Sequence, residues 1–336
     1  MAIINSTNSN QPLLTIAIPT YNRASYLDLC LRRISEEIDS LNEDQRSLIK
    51  VYVSDNASSD NTVEITSKYQ SLNLYGLKVF RNTENIGADK NIAQCYDSAI
   101  SPYVWVLGDD DIILPGCLAM ILTVLQKQEI DILYLNNYWF TDNYAEREPT
   151  QKLQGISRFG ESLGFVKRTN VMLTFISALV VRSSIGLEFR SELLASNLVQ
   201  LSWVLSLLRD GKCFAIIEDD VIAAKGSNSG GYGLVRVFGN NLVRITNEIL
   251  KDNPSVARAI QNGTIVNFFP SFIIDFRKGN SQFSDKDMGI GLQEAYGDNW
   301  RYYVFLAPLI RLPLFVANYY HVFLKVIRRL CRSILL

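Results

Sequence analysis

From Leu13 to Gln128 this chain alternates short apolar runs with helix-patterned segments, and that alternation constrains its fold more than any other feature. Leu13–Thr20 is an apolar run that ends in a Pro-Thr-Tyr-Asn turn. Ser25–Ile38 then sets Leu27, Leu31, Ile34 and Ile38 at helical spacing, with Ser25 as the expected N-cap. Strands are predicted again at Lys50–Ser54, Leu77–Phe80 and Tyr103–Leu107. Helices are predicted over Asn61–Tyr69, Asn91–Ile100 and Leu118–Gln128. Such a succession predicts right-handed crossovers and a mainly parallel α/β sheet flanked by helices. Ligands of these sheets bind beyond the strand C-terminal ends, near a switch in strand order. The segments that follow the strands are Pro19–Arg23, Asp55–Asp60, Arg81–Gly87 and Gly108–Asp111, and all four are polar.

The second half is less regular. Ile130–Asn136 reads as a strand and Asn137–Thr169 is largely polar. Phe175–Arg182 is a buried-looking strand, Leu193–Leu208 a helix and Cys213–Glu218 a strand. Lys225–Gly233 has the composition of a loop, and the pattern is helical from Leu234.

Composition removes several chemistries. The net charge of −1 gives no reason to expect a nucleic-acid partner. The one histidine, His321, lies in an apolar, basic C-terminal stretch, so neither a Ser-His-Asp triad nor a multi-histidine metal site is expected. Any metal should take oxygen ligands, and any general base should be a carboxylate. Cys30, Cys95, Cys117, Cys213 and Cys331 are odd in number and contain no CxxC, which fits a reducing cytoplasm. Met1–Gln11 is polar and does not read as a signal peptide.

The sharpest chemical signal is Gly108-Asp109-Asp110-Asp111 at the end of an apolar strand. Three adjacent carboxylates repel and lose hydration there, a cost that a divalent cation relieves. A solvated acidic turn is the plain alternative. Pro19–Arg23 offers a ring and amide groups that suit a flat base. Asp55 is placed to accept from a base or a ribose hydroxyl, whereas Asp60 reads as a helix cap. Gly87 lets backbone approach a ligand, and Lys90 suits phosphate.

Taken in order, Ile18-Pro-Thr-Tyr-Asn-Arg23, Val53-Ser-Asp-Asn-Ala-Ser-Ser-Asp60, Asn85-Ile-Gly87 and Asp109–Asp111 resemble glycosyltransferase family 2. The Asn-Ile-Gly-Ala-Asp-Lys-Asn and Gly-Asp-Asp-Asp segments are similar to its abequosyltransferase-type branch, which builds bacterial surface polysaccharides such as O-antigen on lipid carriers. The resemblance implies a GT-A domain over residues 1–230, with the donor site in 13–125 and the acceptor side in 126–230. A C-terminal helical region would fill 231–336. It implies transfer of a hexosyl or deoxyhexosyl unit from a nucleoside-diphosphate sugar to a glycan hydroxyl. Thr20 and Tyr21 would flank the nucleobase. Pro19, Arg23, Asp55, Asn56, Gly87, Lys90, Asp109 and Asp110 would complete the donor site. Asp109, Asp110 and Asp111 would be the DxD element that holds Mg²⁺ or Mn²⁺. Gly108 stands where the family more often has its first Asp, so the working pair stays open between Asp109/Asp110 and Asp109/Asp111.

Family members often carry Glu-Asp at the start of the helix before a Gly-Lys turn. Here the turn is Gly211-Lys212 and the matching start, Ser196–Gln200, has no carboxylate. The nearest acids are Glu192 upstream and Glu218, Asp219 and Asp220 downstream, and the base is expected among the latter three. From Trp300 onward the chain is aromatic and basic, with Arg301, Arg311, Lys325, Arg328, Arg329 and Arg332 and no acid. That pattern suits peripheral contact with the inner face of a membrane, although a buried helix or an oligomer contact has the same composition. A phosphatase with an Asp nucleophile after the first strand is disfavoured by Pro19-Thr20-Tyr21. A nicotinamide oxidoreductase is disfavoured by the lack of a Gly-rich turn there. A non-catalytic scaffold that binds nucleotide sugar is the remaining rival.

Overall fold

The computed structural model describes residues 11–72, 74, 76–146, 155–183, 185, 188–226, 232–279 and 287–330. Arg332 and most of the loop expected at Lys225–Gly233 lie outside them. Two compact units emerge. The first comprises Met1–Arg158, Ile176–Ile185 and Cys213–Gly226, and the second comprises Phe159–Phe175, Gly186–Lys212 and Ser227–Leu336.

The first unit holds the sheet. Its strands are β1 (Leu14–Thr20), β2 (Ile49–Asp55), β3 (Lys78–Arg81), β4 (Tyr103–Val106), β5 (Ile112–Ile113), β6 (Ile132–Phe140), β7 (Ile156–Phe159), β8 (Leu179–Arg182) and β9 (Phe214–Lys225). They lie in the order β3-β2-β1-β4-β8-β6-β9-β5, with β7 also paired to β9. β1 runs parallel to β2 on one side and to β4 on the other, so strand order reverses at β1. That reversal is the switch point where a ligand crevice forms. The first four strands are parallel as expected, whereas β8 is antiparallel to both β4 and β6, and β5 is antiparallel to β9. Only Leu107–Asp111 separates β4 from β5, too short a link for a parallel crossover.

The helix Ala24–Asp39 buries Leu27, Leu31, Ile34 and Ile38 against Ile16, Val51 and Ile121 of the core. It starts one residue before Ser25. Its first amide, on Ala24, donates to Asp60 Oδ2 at 2.9 Å, so the cap comes from across the fold rather than from Ser25. Glu37 on the same helix is 4% exposed, and its carboxylate accepts from the amides of Gly116 (3.1 Å) and Leu118 (3.4 Å). Those amides begin the helix Cys117–Lys127, whose free N–H groups carry positive partial charge. Glu37→Ala should therefore cost about 1–2 kcal/mol, the price of a lost helix cap. A urea titration checks this, and Glu37→Gln should recover part of the loss.

The second unit is helical, and its core gathers Phe269, Ile273, Leu292, Tyr302, Phe305, Leu306 and Leu309. Wide π-type turns at Thr264–Phe268 and Tyr302–Leu306 run directly into Pro270 and Pro308. A proline lacks the amide and crowds the carbonyl four residues back, and the wider turn relieves both.

The stretch after Trp300 divides in two. Tyr302, Phe305, Leu306, Ala307 and Leu309 are core, whereas Tyr303 between them is exposed. The terminal helix Leu314–Leu330 buries Ala317, His321 and Leu324. Phe315, Tyr319, Val322, Phe323, Val326 and Leu330 of that helix are all more than half exposed. Their spacing groups them within about 100° of helix circumference, opposite the buried side. Among the described residues no helix is long and apolar enough to cross a membrane.

Candidate active site

Four strand ends meet at the switch point. Thr20 of β1 is the register partner of Asp55 in β2, which is the partner of Arg81 in β3. On the other flank the Leu107 amide donates to Ala17 O at 2.9 Å, which brings Gly108–Asp111 alongside the end of β1.

The β1 and β2 loops are held together by hydrogen bonds. Asn22 has φ of +52°, and this left-handed turn points its amide at Ser58 Oγ (2.9 Å) while its side chain accepts from Ser59 N (2.7 Å). Asp55 is 2% exposed. Its Oδ1 accepts from Ser58 N at 2.9 Å and its Oδ2 faces Arg81 Nε at 3.6 Å. Arg81 was not singled out in the sequence, because only strand register brings it beside Asp55. Asn56 is buried too, and its carboxamide is engaged by Asn82, Asn85 and the Ile86 amide at 2.8–3.1 Å. It ties the β3 loop to β2. Gly87 adopts φ of +88° and an added Cβ would meet nothing within 4 Å, so its requirement is conformational. Lys90 is exposed in the first turn of the helix Ala88–Asp97, Tyr21 is exposed, and Pro19 is half-buried.

The three aspartates divide their work. Asp109, 3% exposed, accepts from Thr20 Oγ1 at 2.7 Å and from Arg23 Nη1 at 3.1 Å. Arg23 Nη1 also reaches Asp110 Oδ2 at 3.1 Å. Asp111 is taken up elsewhere: Oδ2 accepts from Ser177 Oγ at 2.5 Å and Oδ1 from the Lys225 amide at 2.9 Å. It thereby fastens the loop to β9 and to the turn before β8. Burial, then the neighbouring Asp110 charge, lifts the Asp109 carboxyl to about 6 against the pull of Arg23 and Thr20. Burial and Asp110 likewise raise Asp111. Gly108 has no room for a side chain without displacement, since a Cβ would sit 3.0 Å from Asp111 Oδ2, 3.1 Å from Asp110 Oδ1 and 3.2 Å from Ser177 Oγ. A side chain at 108 would therefore require these three side chains to shift.

The donor set fits a hard divalent cation in part. Among the described residues no group of three or more His, Cys, Asp or Glu side chains is arranged to hold a metal. Two carboxylates, Asp109 and Asp110, already share one cationic nitrogen, and ions of this type use one or two carboxylates with phosphate and water for the rest.

Glu218, Asp219 and Asp220 lie apart from this cluster. Between Leu135↔Ile217 and Asn137↔Ile222 the register of β6 and β9 shifts, so residues 218–221 stand opposite Asn136 alone. Within this bulge Asn136 Nδ2 donates to the Glu218 carbonyl and Ser157 Oγ to Glu218 Oε1. Lys225, which touches Asp111, is five residues beyond Asp220, about 16 Å of strand. In the second unit, the helix expected to carry the family's acids spans Leu201–Asp210. Gln200 is at its cap, bonded to Thr174 O at 2.7 Å, and its first turn has no acid.

A parallel half-sheet with carboxylates at its switch point, extended by a mixed half, is the architecture of the GT-A glycosyltransferases. The model of "Glycosyl transferase family 2" matches residues 15–186, half of the chain, and the chain belongs to that family. Abequosyltransferase RfbV of Salmonella typhimurium is 34% identical over 116 residues, a match that spans 34% of this chain and 33% of that one. The uncharacterized glycosyltransferase MJ1057 of Methanocaldococcus jannaschii is 24% identical over 231 residues, 66% of this chain and 74% of its own. The matches to the first curated relatives thus span about a third of their length. Among solved structures, S. aureus TarS 1-349 superposes with a TM-score of 0.61 at 15% identity, over 95% of this chain and 91% of that one. The mannosyltransferase PcManGT from Pyrobaculum calidifontis, in complex with GDP-Man and Mn²⁺, gives 0.53 at 15% identity, over 95% and 87%. At such identities these two speak for the fold.

Proposed function

We propose that this chain transfers a sugar from a nucleoside-diphosphate sugar to a hydroxyl of a glycan acceptor in bacterial surface-polysaccharide synthesis. The observation that carries the reading is the convergence of Thr20, Arg23, Asp55, Asp109 and Asp110, from three strand ends, on the switch point. TarS has been solved with UDP and with UDP-GlcNAc, and PcManGT with GDP-Man and Mn²⁺, which supports a nucleotide-sugar donor and a divalent ion. In this reading Asp55 and Arg81 face the nucleoside and Asp109 with Asp110 holds Mg²⁺ or Mn²⁺. Asp111 keeps the loop in place. A bound divalent ion would neutralise charge on the leaving diphosphate. The chain's own part is to hold the rim rigid through Thr20, Ser177 and the asparagines, so that little reorganisation accompanies the reaction. The functional division near residue 230, and the base role of Glu218, Asp219 or Asp220, belong to the same proposal. The base role requires the acceptor hydroxyl to lie on the bulge side of β9.

A lipid-linked acceptor at the inner face of a membrane completes the reading. The exposed apolar stripe of the helix Leu314–Leu330, flanked by the exposed Lys325 and Arg329, supports it.

A thermal-shift panel of UDP, CDP, GDP and dTDP sugars with Mn²⁺, followed by nucleotide release with the donor that stabilises, tests the function. Binding without turnover on any glycan or water would favour the scaffold reading instead. Asp55→Ala should raise the donor KM at least about tenfold, the scale of one lost charge-assisted hydrogen bond. If it lowers only the melting temperature, Asp55 is a turn residue.

A further inference from the structure

One nitrogen of Arg23 serves two carboxylates. Nη1 stands 3.1 Å from Asp109 Oδ1 and 3.1 Å from Asp110 Oδ2. The Asp109 side chain is 4% exposed and pinned by Thr20, whereas the Arg23 side chain is 35% exposed and sits on a flexible stem. The anionic half of this contact is thus fixed and the cationic half is able to move. A divalent ion and the guanidinium compete for the same oxygens, because Arg23 already neutralises the pair that the cation would use. A guanidinium also has five donors in a planar fork suited to phosphate.

We propose that Arg23 is the internal counter-ion of the donor site: it neutralises Asp109 and Asp110 in the metal-free chain and yields them to a divalent cation when the donor's diphosphate arrives. This rests on the nucleotide-sugar reading above. A cation alone must displace Arg23 and gains nothing for it, so it binds weakly. A diphosphate gives the released guanidinium a new partner, so cation and diphosphate bind with positive coupling. By linkage each raises the other's affinity by the same factor.

The test is Mn²⁺ binding to the full chain, followed by the paramagnetic resonance signal of free Mn²⁺, with and without UDP. Arg23→Gln should bind Mn²⁺ alone about tenfold tighter than the native chain, within the usual span of coupling between sites, and UDP should add less. Arg23→Lys keeps a competing charge and should stay close to native. The double variant Arg23→Gln/Asp110→Asn should lose the gain. Melting offers a second readout: Arg23→Gln should melt lower without Mn²⁺ and recover more on its addition. Equal and measurable Mn²⁺ affinity in the native chain and Arg23→Gln overturns the counter-ion role and leaves the metal reading standing. Absence of Mn²⁺ uptake by every form, with or without UDP, overturns both.

Discussion

Asp110→Asn is expected to lower sugar transfer by about a thousandfold while the fold survives. Asp110 shares Arg23 with Asp109 at the switch point, and its side chain is 15% exposed, open to a ligand. Several kcal/mol of charge stabilisation at a leaving diphosphate corresponds to a factor of that size. Circular dichroism and the melting temperature should change little, and added Mn²⁺ should not rescue turnover. Asp111→Asn should behave differently. It replaces one of the two oxygens that accept from Ser177 and the Lys225 amide with an N–H₂, leaving one of those donors facing another donor, so its first effect should be on stability. Equal stability loss in the two variants would erase the distinction between ligand and brace. The pH dependence has a defined sign. With its carboxyl raised from 3.8 to about 6, Asp109 holds its proton more tightly in the folded chain. The metal-free protein should therefore lose stability as pH rises from about 4 to about 6, while metal-dependent donor binding should strengthen over the same window.

Vesicle binding should depend on the outward face of the terminal helix rather than on its mere presence. Phe315, Tyr319 and Phe323 are 69%, 78% and 55% exposed. Replacing all three by Ser should weaken binding to anionic vesicles at least about a hundredfold, since each buried aromatic contributes about 1.5 kcal/mol or more. Reversing Lys325 and Arg329 to Glu should weaken it further, and that part should vanish in high salt. Deleting the chain from Trp300 is not a clean control, because Tyr302, Phe305, Leu306 and Leu309 belong to the core of the second unit and their loss should unfold it. Co-sedimentation with neutral and anionic vesicles decides the matter. If the native chain ignores both and equilibrium sedimentation shows a dimer that the triple variant loses, the stripe is a contact between copies.

Much of the first half was legible because periodicity is local. Leu27, Leu31, Ile34 and Ile38 announce one helix, and the Asp109–Asp111 run marks the strand end where the carboxylates gather. Pairings across the chain were not legible. Arg23 and Asp109 are 86 residues apart, and nothing near either one signals the other. Asp60 was readable as a cap of the helix beside it, where it accepts from the Thr62 amide, but not as the cap of the helix that begins at Ala24 as well. The antiparallel β8 and the two-residue β5 escaped because sheet order is a long-range choice and two residues carry no period. The bulge at Glu218–Val221 reads in sequence as a plain strand end, since an extra-residue insertion leaves no mark until a partner strand is present.

The crowding at Gly108 should couple positions that are distant in sequence. Residues 108, 110, 111 and 177 share one small volume, so a change at any of them is felt by the rest. A side chain at 108 would have to displace the carboxylates of 110 and 111, or claim the space of Ser177. A fourth acid at 108 would not simply add a ligand: the neighbouring carboxylates and Ser177 would have to shift to admit it. Chains with Asp in that place should carry compensating changes at 111 or 177, and single exchanges between the two patterns should fail where paired ones succeed.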